Sequence, residues 1–248
     1  NTGLVELGTN VSASFDGNQL FQQRAGTLTL RDGTAILGNG GTFNINGGTV
    51  NVGSNVVWRS LAFNYNGGQI SGASPFVVSS NLRLGPNAAP AVLWVSGGQN
   101  LLQGDLPAGQ PLWMRGNSRD GSSTLTSTNG FANRGLLRLE SVDSSWNSQL
   151  TASGVLNNSA DGRIEINAGA GGPRAVDAQI LNMGAIQIST DTSFSKTGTS
   201  HTNAGRVQIN SAAVLGLDCT PITVEGDISP RWPRYQIIGL PDTAIQEA

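Results

Sequence analysis

The densest charge in the sequence lies between residues 138 and 165, where Arg138, Glu140, Asp143, Arg163 and Glu165 fall on two copies of one short motif. Paired carboxylates are the machinery of glycoside hydrolysis, one acting as acid and the other as base or nucleophile. Acids that hold Ca2+ beside an Arg or Lys base would instead suit a polysaccharide lyase. A solvated strand face, with Arg138 and Glu165 as a neighbouring ion pair, is the competing reading. The other acids favour it, because Asp16, Asp32, Asp105, Asp120, Asp161, Asp177 and Asp191 are scattered along the chain.

Aromatic residues offer a second chemistry. Trp94, Trp113 and Trp146 stand in or beside polar strand-like stretches. Flat aromatic rings on a neutral surface suit stacking on sugar rings, with Asn, Gln and Arg reading the hydroxyls. These three are therefore the candidate ligand-binding residues, and a polysaccharide or surface glycan is the candidate ligand.

Several other chemistries are poorly provided for. His201 is the only histidine, so a Ser-His-Asp triad or a His-based metal site has a single base to draw on. Its setting, "TGTSHTNAG", reads as a surface turn. The stretch "GAGGPR" (169–174) has the glycines of a phosphate cradle without the Lys-Ser/Thr ending, and reads as a loop. "GNGGTFNINGGTVNVG" has the glycines of a calcium-binding nonapeptide repeat but lacks its Asp. No metal site and no cofactor is expected. Thr-Leu-Thr occurs at 27–29 and 124–126 but does not recur at each repeat, as a flat ice-binding array requires.

Composition narrows the partners further. Charged residues are 12% of the chain, about half the usual share, and the net charge is -2. Lys196 is the single lysine, so neither a nucleic-acid footprint nor a polybasic membrane patch is present. No apolar run approaches the roughly 18 residues of a spanning helix, so no membrane insertion is expected. Cys219, alone, excludes an intrachain disulfide and reads as a small buried hydrophobe. The chain begins at Asn1 without Met or a signal-type segment, which suggests a mature or excised piece.

The elements that must carry these residues show as a repeat. "NRGLLRL" (133–139), "NMGAIQI" (182–188) and "NAGRVQI" (203–209) share one plan, and "NNSADGRIEI" is a longer version of it. The Gly positions 135, 162, 184 and 205 step by 27, 22 and 21 residues, and Gly26, Gly48 and Gly68 step by 22 and 20. Alternation of period two between Asn/Gly turns is a strand signature. Its recurrence at about 20–25 residues matches one coil of a right-handed parallel β-helix, a solenoid. A sandwich or jelly roll is the alternative all-β architecture. Stacked coils would place Leu137, Ile164, Ile186 and Val207 in one interior column and Leu139, Ile166, Ile188 and Ile209 in another. Asn133, Asn182 and Asn203 would form a ladder at the turn.

The motif weakens in two places. Irregular stretches near 86–120, with Pro-rich connections at 86–90 and 107–111, read as loops projecting from the stack. From residue 219 to 248 the motif is lost, so 1–218 reads as the β-helix and 219–248 as a cap or linker. Uncapped solenoid ends favour end-to-end self-association.

The segments "FNYNGGQISG", "GFANRGLLRL", "GVLNNSADGRIEI", "ILNMGAIQI" and "HTNAGRVQI" resemble the repeat regions of large secreted bacterial β-solenoid proteins. These are the autotransporter passengers and filamentous-haemagglutinin-like adhesins, and the resemblance covers roughly 25–215. It implies a secreted or cell-surface setting and a structural or adhesive role. It carries over no functional residue, because the shared positions are structural. A polysaccharide-cleaving enzyme on the same scaffold, with Glu140, Asp143 and Glu165 as its acids, is the alternative function.

Overall fold

In a computed structural model the chain is an all-β solenoid of about ten turns. The structure describes residues 1–210 except 144 and 197, residues 213–218, and the strand backbones 222–224, 227–230 and 235–238. No helix occurs among the described residues. Each regular coil contributes three short strands, and like strands stack in parallel along the axis. The first face begins with Leu4–Leu7 and Thr27–Leu30 and the third with Leu20–Gln23. Strands that bend around the corner between them, such as Thr42–Val52, Ala62–Gly72 and Ser148–Asn158, join these two into one hydrogen-bonded sheet. The second face is a separate sheet of eleven strands, from Ser12–Asp16 to Asp227–Pro230.

Why these residues stack is visible in the register. Leu93, Leu112, Leu137, Ile164, Ile186 and Val207 pair in succession, as do Val95, Met114, Leu139, Ile166, Ile188 and Ile209. Both expected columns are present, and all twelve side chains are buried. Each contributes on the order of 1.5–3 kcal/mol by leaving water, and only while its neighbours above and below are in place. Aromatic residues fill the early coils, where Phe43, Trp58 and Phe63 pack with ring centroids 4.9–6.3 Å apart.

The Asn ladder is present and longer than the repeat suggested. Asn133 Nδ2 donates to Asn158 Oδ1 at 2.7 Å, Asn158 to Asn182 at 2.7 Å, and Asn182 to Asn203 at 2.6 Å. Each of the first three Nδ2 groups also donates to a carbonyl of the next coil, at Arg163, Ala185 and Arg206. The Ser159–Gly162 turn supplies the extra residues that obscure Asn158 in sequence. Glycine serves a different corner, the bend between the third and first faces: Gly48 has φ of 71°, and a Cβ there would lie 2.5 Å from the Gly26 carbonyl oxygen.

Two local expectations look different in space, and a third, the loop at 169–174, is present. The Pro-rich stretches are tight corners rather than projections, since Phe76 to Trp94 to Trp113 advances by 18 and 19 residues in register. His201 is buried, not a surface turn: Ile180 N–H donates to its Nδ1 at 3.1 Å, and Phe194 meets its ring edge-on. The 168–173 loop is held by the buried Arg174, which donates to the carbonyls of Ala168, Gly171 and Gly172. It turns carbonyl oxygens inward, the reverse of a phosphate cradle. Parallel pairing continues through Ile222–Val224, Asp227–Pro230 and Tyr235–Ile238. Cys219 and Trp232, and the rest of the expected 219–248 segment, lie outside the described residues.

Candidate functional site

The outward side of the second face gathers most of the sequence candidates. Because side chains alternate along a strand, residues two apart share a face and in-register residues stack about 4.8 Å apart. Phe76, Trp94, Trp113, Arg138, Glu165 and Gln187 thus form one outward column. Arg115 and Glu140 pair in the column beside it, and Arg163 lies on the opposite flank, in register with Leu136 and Ala185.

The two candidate carboxylates in these columns are both held by arginine. Glu165 accepts from Arg138 at 2.6 Å and pairs with Arg163 at 2.8 Å. Glu140 accepts from Arg115 Nε at 2.8 Å. Both acid side chains are largely covered, 10% and 14% exposed. A general acid or base must exchange a proton with a substrate group within hydrogen-bond reach. Here both carboxylates form a floor on which guanidiniums are set. Asp143 is not part of the cluster: it lies at the corner, where it accepts from the Ser118 N–H and, at 2.9 Å, from the Ser118 hydroxyl.

The aromatic candidates divide in the same way. Trp94 and Trp113 project outward, yet Arg115 lies over the Trp94 ring at 4.1 Å and Arg138 over the Trp113 ring at 4.0 Å. Their indole N–H groups are buried without a hydrogen-bond partner. A guanidinium from the next coil thus covers a ring face that a sugar would use. Trp146 is separate and 37% exposed, at the corner beside Gly121.

Residues that the sequence did not single out complete the face. Asn117 and Gly121 exchange backbone hydrogen bonds at 3.0 and 2.8 Å, closing a small loop. That loop folds back over earlier coils, putting Arg119 3.8 Å from the Phe76 ring centroid. Asp120, fully covered, accepts from Arg59 at 2.6 Å and from Arg119 at 2.8 Å. Stepping back 18 residues from Trp94 finds Phe76. No sequence periodicity reveals the Arg59–Asp120 contact, since a loop makes it.

Elsewhere, a shallow depression of about 230 Å³ at another corner is lined by Thr29, Arg31, Asp32, Asn51 and Ser71, among others. Among the described residues no three His, Cys, Asp or Glu side chains converge as metal ligands. Comparisons with protein-family models, with curated proteins and with solved structures gave no match to this chain.

Proposed function

We propose that this solenoid is a structural or adhesive module of a secreted or cell-surface protein, and that the second face is its contact surface for glycans. The observation that carries the reading is the state of the carboxylates. Glu140 and Glu165 are engaged by Arg115, Arg138 and Arg163, so the face is a fixed mosaic rather than a proton-transfer centre. A rigid, in-register surface loses little freedom when it docks a partner, which favours binding. The same reading includes end-to-end association. Among the described residues Leu4–Leu7, Ser12–Asp16 and Leu20–Gln23 each pair on one side only, and Leu4 and Leu20 are 74% and 52% exposed. Sedimentation over a range of concentrations tests that part.

A glycan array, with release of sugar ends assayed on the same glycans, tests the whole. Binding without cleavage is expected. Cleavage that disappears in Glu165→Gln would replace this reading with a polysaccharide-cleaving enzyme.

A further inference from the structure

The second face repeats one small device three times. Phe76, Trp94 and Trp113 occupy successive coils, and Arg119, Arg115 and Arg138 lie over them at 3.8, 4.1 and 4.0 Å. Beneath or beside these guanidiniums lie Asp120, Glu140 and Glu165, with side chains 0%, 14% and 10% exposed. Arg59, Arg119 and Arg163 reach further out, at 40%, 39% and 53%. Solvent therefore meets the edges of Arg59, Arg119 and Arg163, while Arg115 and Arg138, at 17% and 21%, lie nearer the level of the carboxylates. Over the coils from 57 to 188 the face carries five guanidiniums (59, 115, 119, 138, 163) and three carboxylates. That is an excess of two positive charges in a chain whose net charge is -2.

From this we infer that the second face binds a linear carboxylated polysaccharide laid along the solenoid axis, which rests on the glycan-contact reading above and names its ligand class. Guanidinium is a planar fork that matches a carboxylate in two parallel hydrogen bonds, and it keeps its in-plane donors when its flat side lies on an aromatic ring. The carboxylates below already hold the forks in place, so less conformational freedom is lost on binding. Arg115 uses its Nε for Glu140, and its remaining N–H groups extend the fork. The ring-capping guanidiniums follow one another at about the coil spacing of roughly 4.8 Å, so the site is a row rather than a pocket. Gln187, to which Arg163 donates at 3.0 Å, continues the row with a neutral amide suited to hydroxyls. Opposite charge, planar donors and axial repetition together select a polymer bearing carboxylates over a neutral one.

Three polymers on one backbone separate the possibilities: dextran, carboxymethyl-dextran and dextran sulfate, each immobilised and probed with the intact chain. Carboxymethyl-dextran is expected to bind, and to weaken on raising salt from about 0.05 to 0.5 M because exposed charges are then screened within a few ångströms. The double variant Arg119→Gln/Arg163→Gln leaves Asp120 with Arg59 and Glu165 with Arg138, so folding is retained. It should bind about tenfold more weakly or worse, the loss of at least one charge-assisted contact. Arg119→Lys/Arg163→Lys keeps the charge without the fork and should fall between the two. Arg24→Gln/Arg83→Gln, off this face, should bind as the parent does; unchanged tryptophan fluorescence and thermal midpoint certify each fold. Absence of carboxymethyl-dextran binding, or binding that the Gln double variant leaves unchanged, overturns the inference. So does tighter binding of dextran sulfate or of single-stranded DNA, which would reduce the effect to charge density. Neutral glycans bound on the array with carboxymethyl-dextran unbound would sink this inference alone, whereas an array with no binder at all would sink the adhesive reading with it.

Discussion

Arg59 and Asp120 are 61 positions apart in the chain and meet at 2.6 Å, across the coils that lie between them. Asp120 is fully covered and also holds Arg119, so one carboxylate ties the 117–121 loop to a strand three coils back. Asp120→Asn keeps the shape and removes the charge, leaving an amide facing two guanidiniums. A loss of about 1–3 kcal/mol is expected, the range for an unmatched buried polar group. Limited proteolysis should then cut within 117–121, where the parent resists.

The Asn ladder should show unequal rungs. Asn158 accepts from Asn133 and donates to Asn182 and to the Ala185 carbonyl. Asn158→Leu strands a donor and an acceptor in a dry interior, at a cost of about 2–4 kcal/mol. Asn203 is already the last rung, its Nδ2 without a partner and Val224 next in register. Asn203→Leu should cost less than half as much. Urea midpoints of the two variants check the order, and equal losses would contradict it.

Two glycines separate conformational strain from collision. Gly48 and Gly104 have φ of 71° and 88°, where an added side chain costs about 1 kcal/mol or more. At Gly104 a Cβ meets nothing within 4 Å, whereas at Gly48 it would lie 2.5 Å from the Gly26 carbonyl oxygen. Gly104→Ala should therefore be mild, and Gly48→Ala should lower the thermal midpoint several times further.

Acid should loosen the later coils through His201. Burial pushes its imidazole below the ordinary value of 6.5, and Nδ1 must stay unprotonated to accept the Ile180 N–H. The unfolded chain takes up a proton near 6.5 while the folded chain resists. The contribution is thus complete above that pH and is lost as pH falls toward the lowered value. The slope from one proton is at most about 1.4 kcal/mol per pH unit. Thermal midpoints between pH 7 and 5 should fall less in His201→Phe than in the parent.

The architecture was legible in residues 133–209 because interior stacking demands the same residue types at the same station of each coil. Leu137, Ile164, Ile186 and Val207 each stand two residues after the repeat's Gly, and the register places them together. His201 reads as a surface turn because its polar neighbours mask an inward-facing position. The candidate face was legible in part. Arg138, Arg163 and Glu165 belong to the repeat, and their proximity follows from its length. Arg119 and Asp120 reach the face through a loop that folds back on earlier coils, and no period encodes such a return. The aromatic rings were visible as residues, but the guanidiniums that cover them depend on which coil follows which.

Coil length varies from the 18-residue step between Phe76 and Trp94 to the 27-residue step between Arg138 and Glu165, while the interior columns stay in register. The corners therefore absorb insertions that the columns never register. New segments can be grafted into such a chain at an exposed corner such as Gly104, where an added side chain meets nothing within 4 Å, without rewriting its core. Each of the three faces can then acquire its own chemistry independently of the other two.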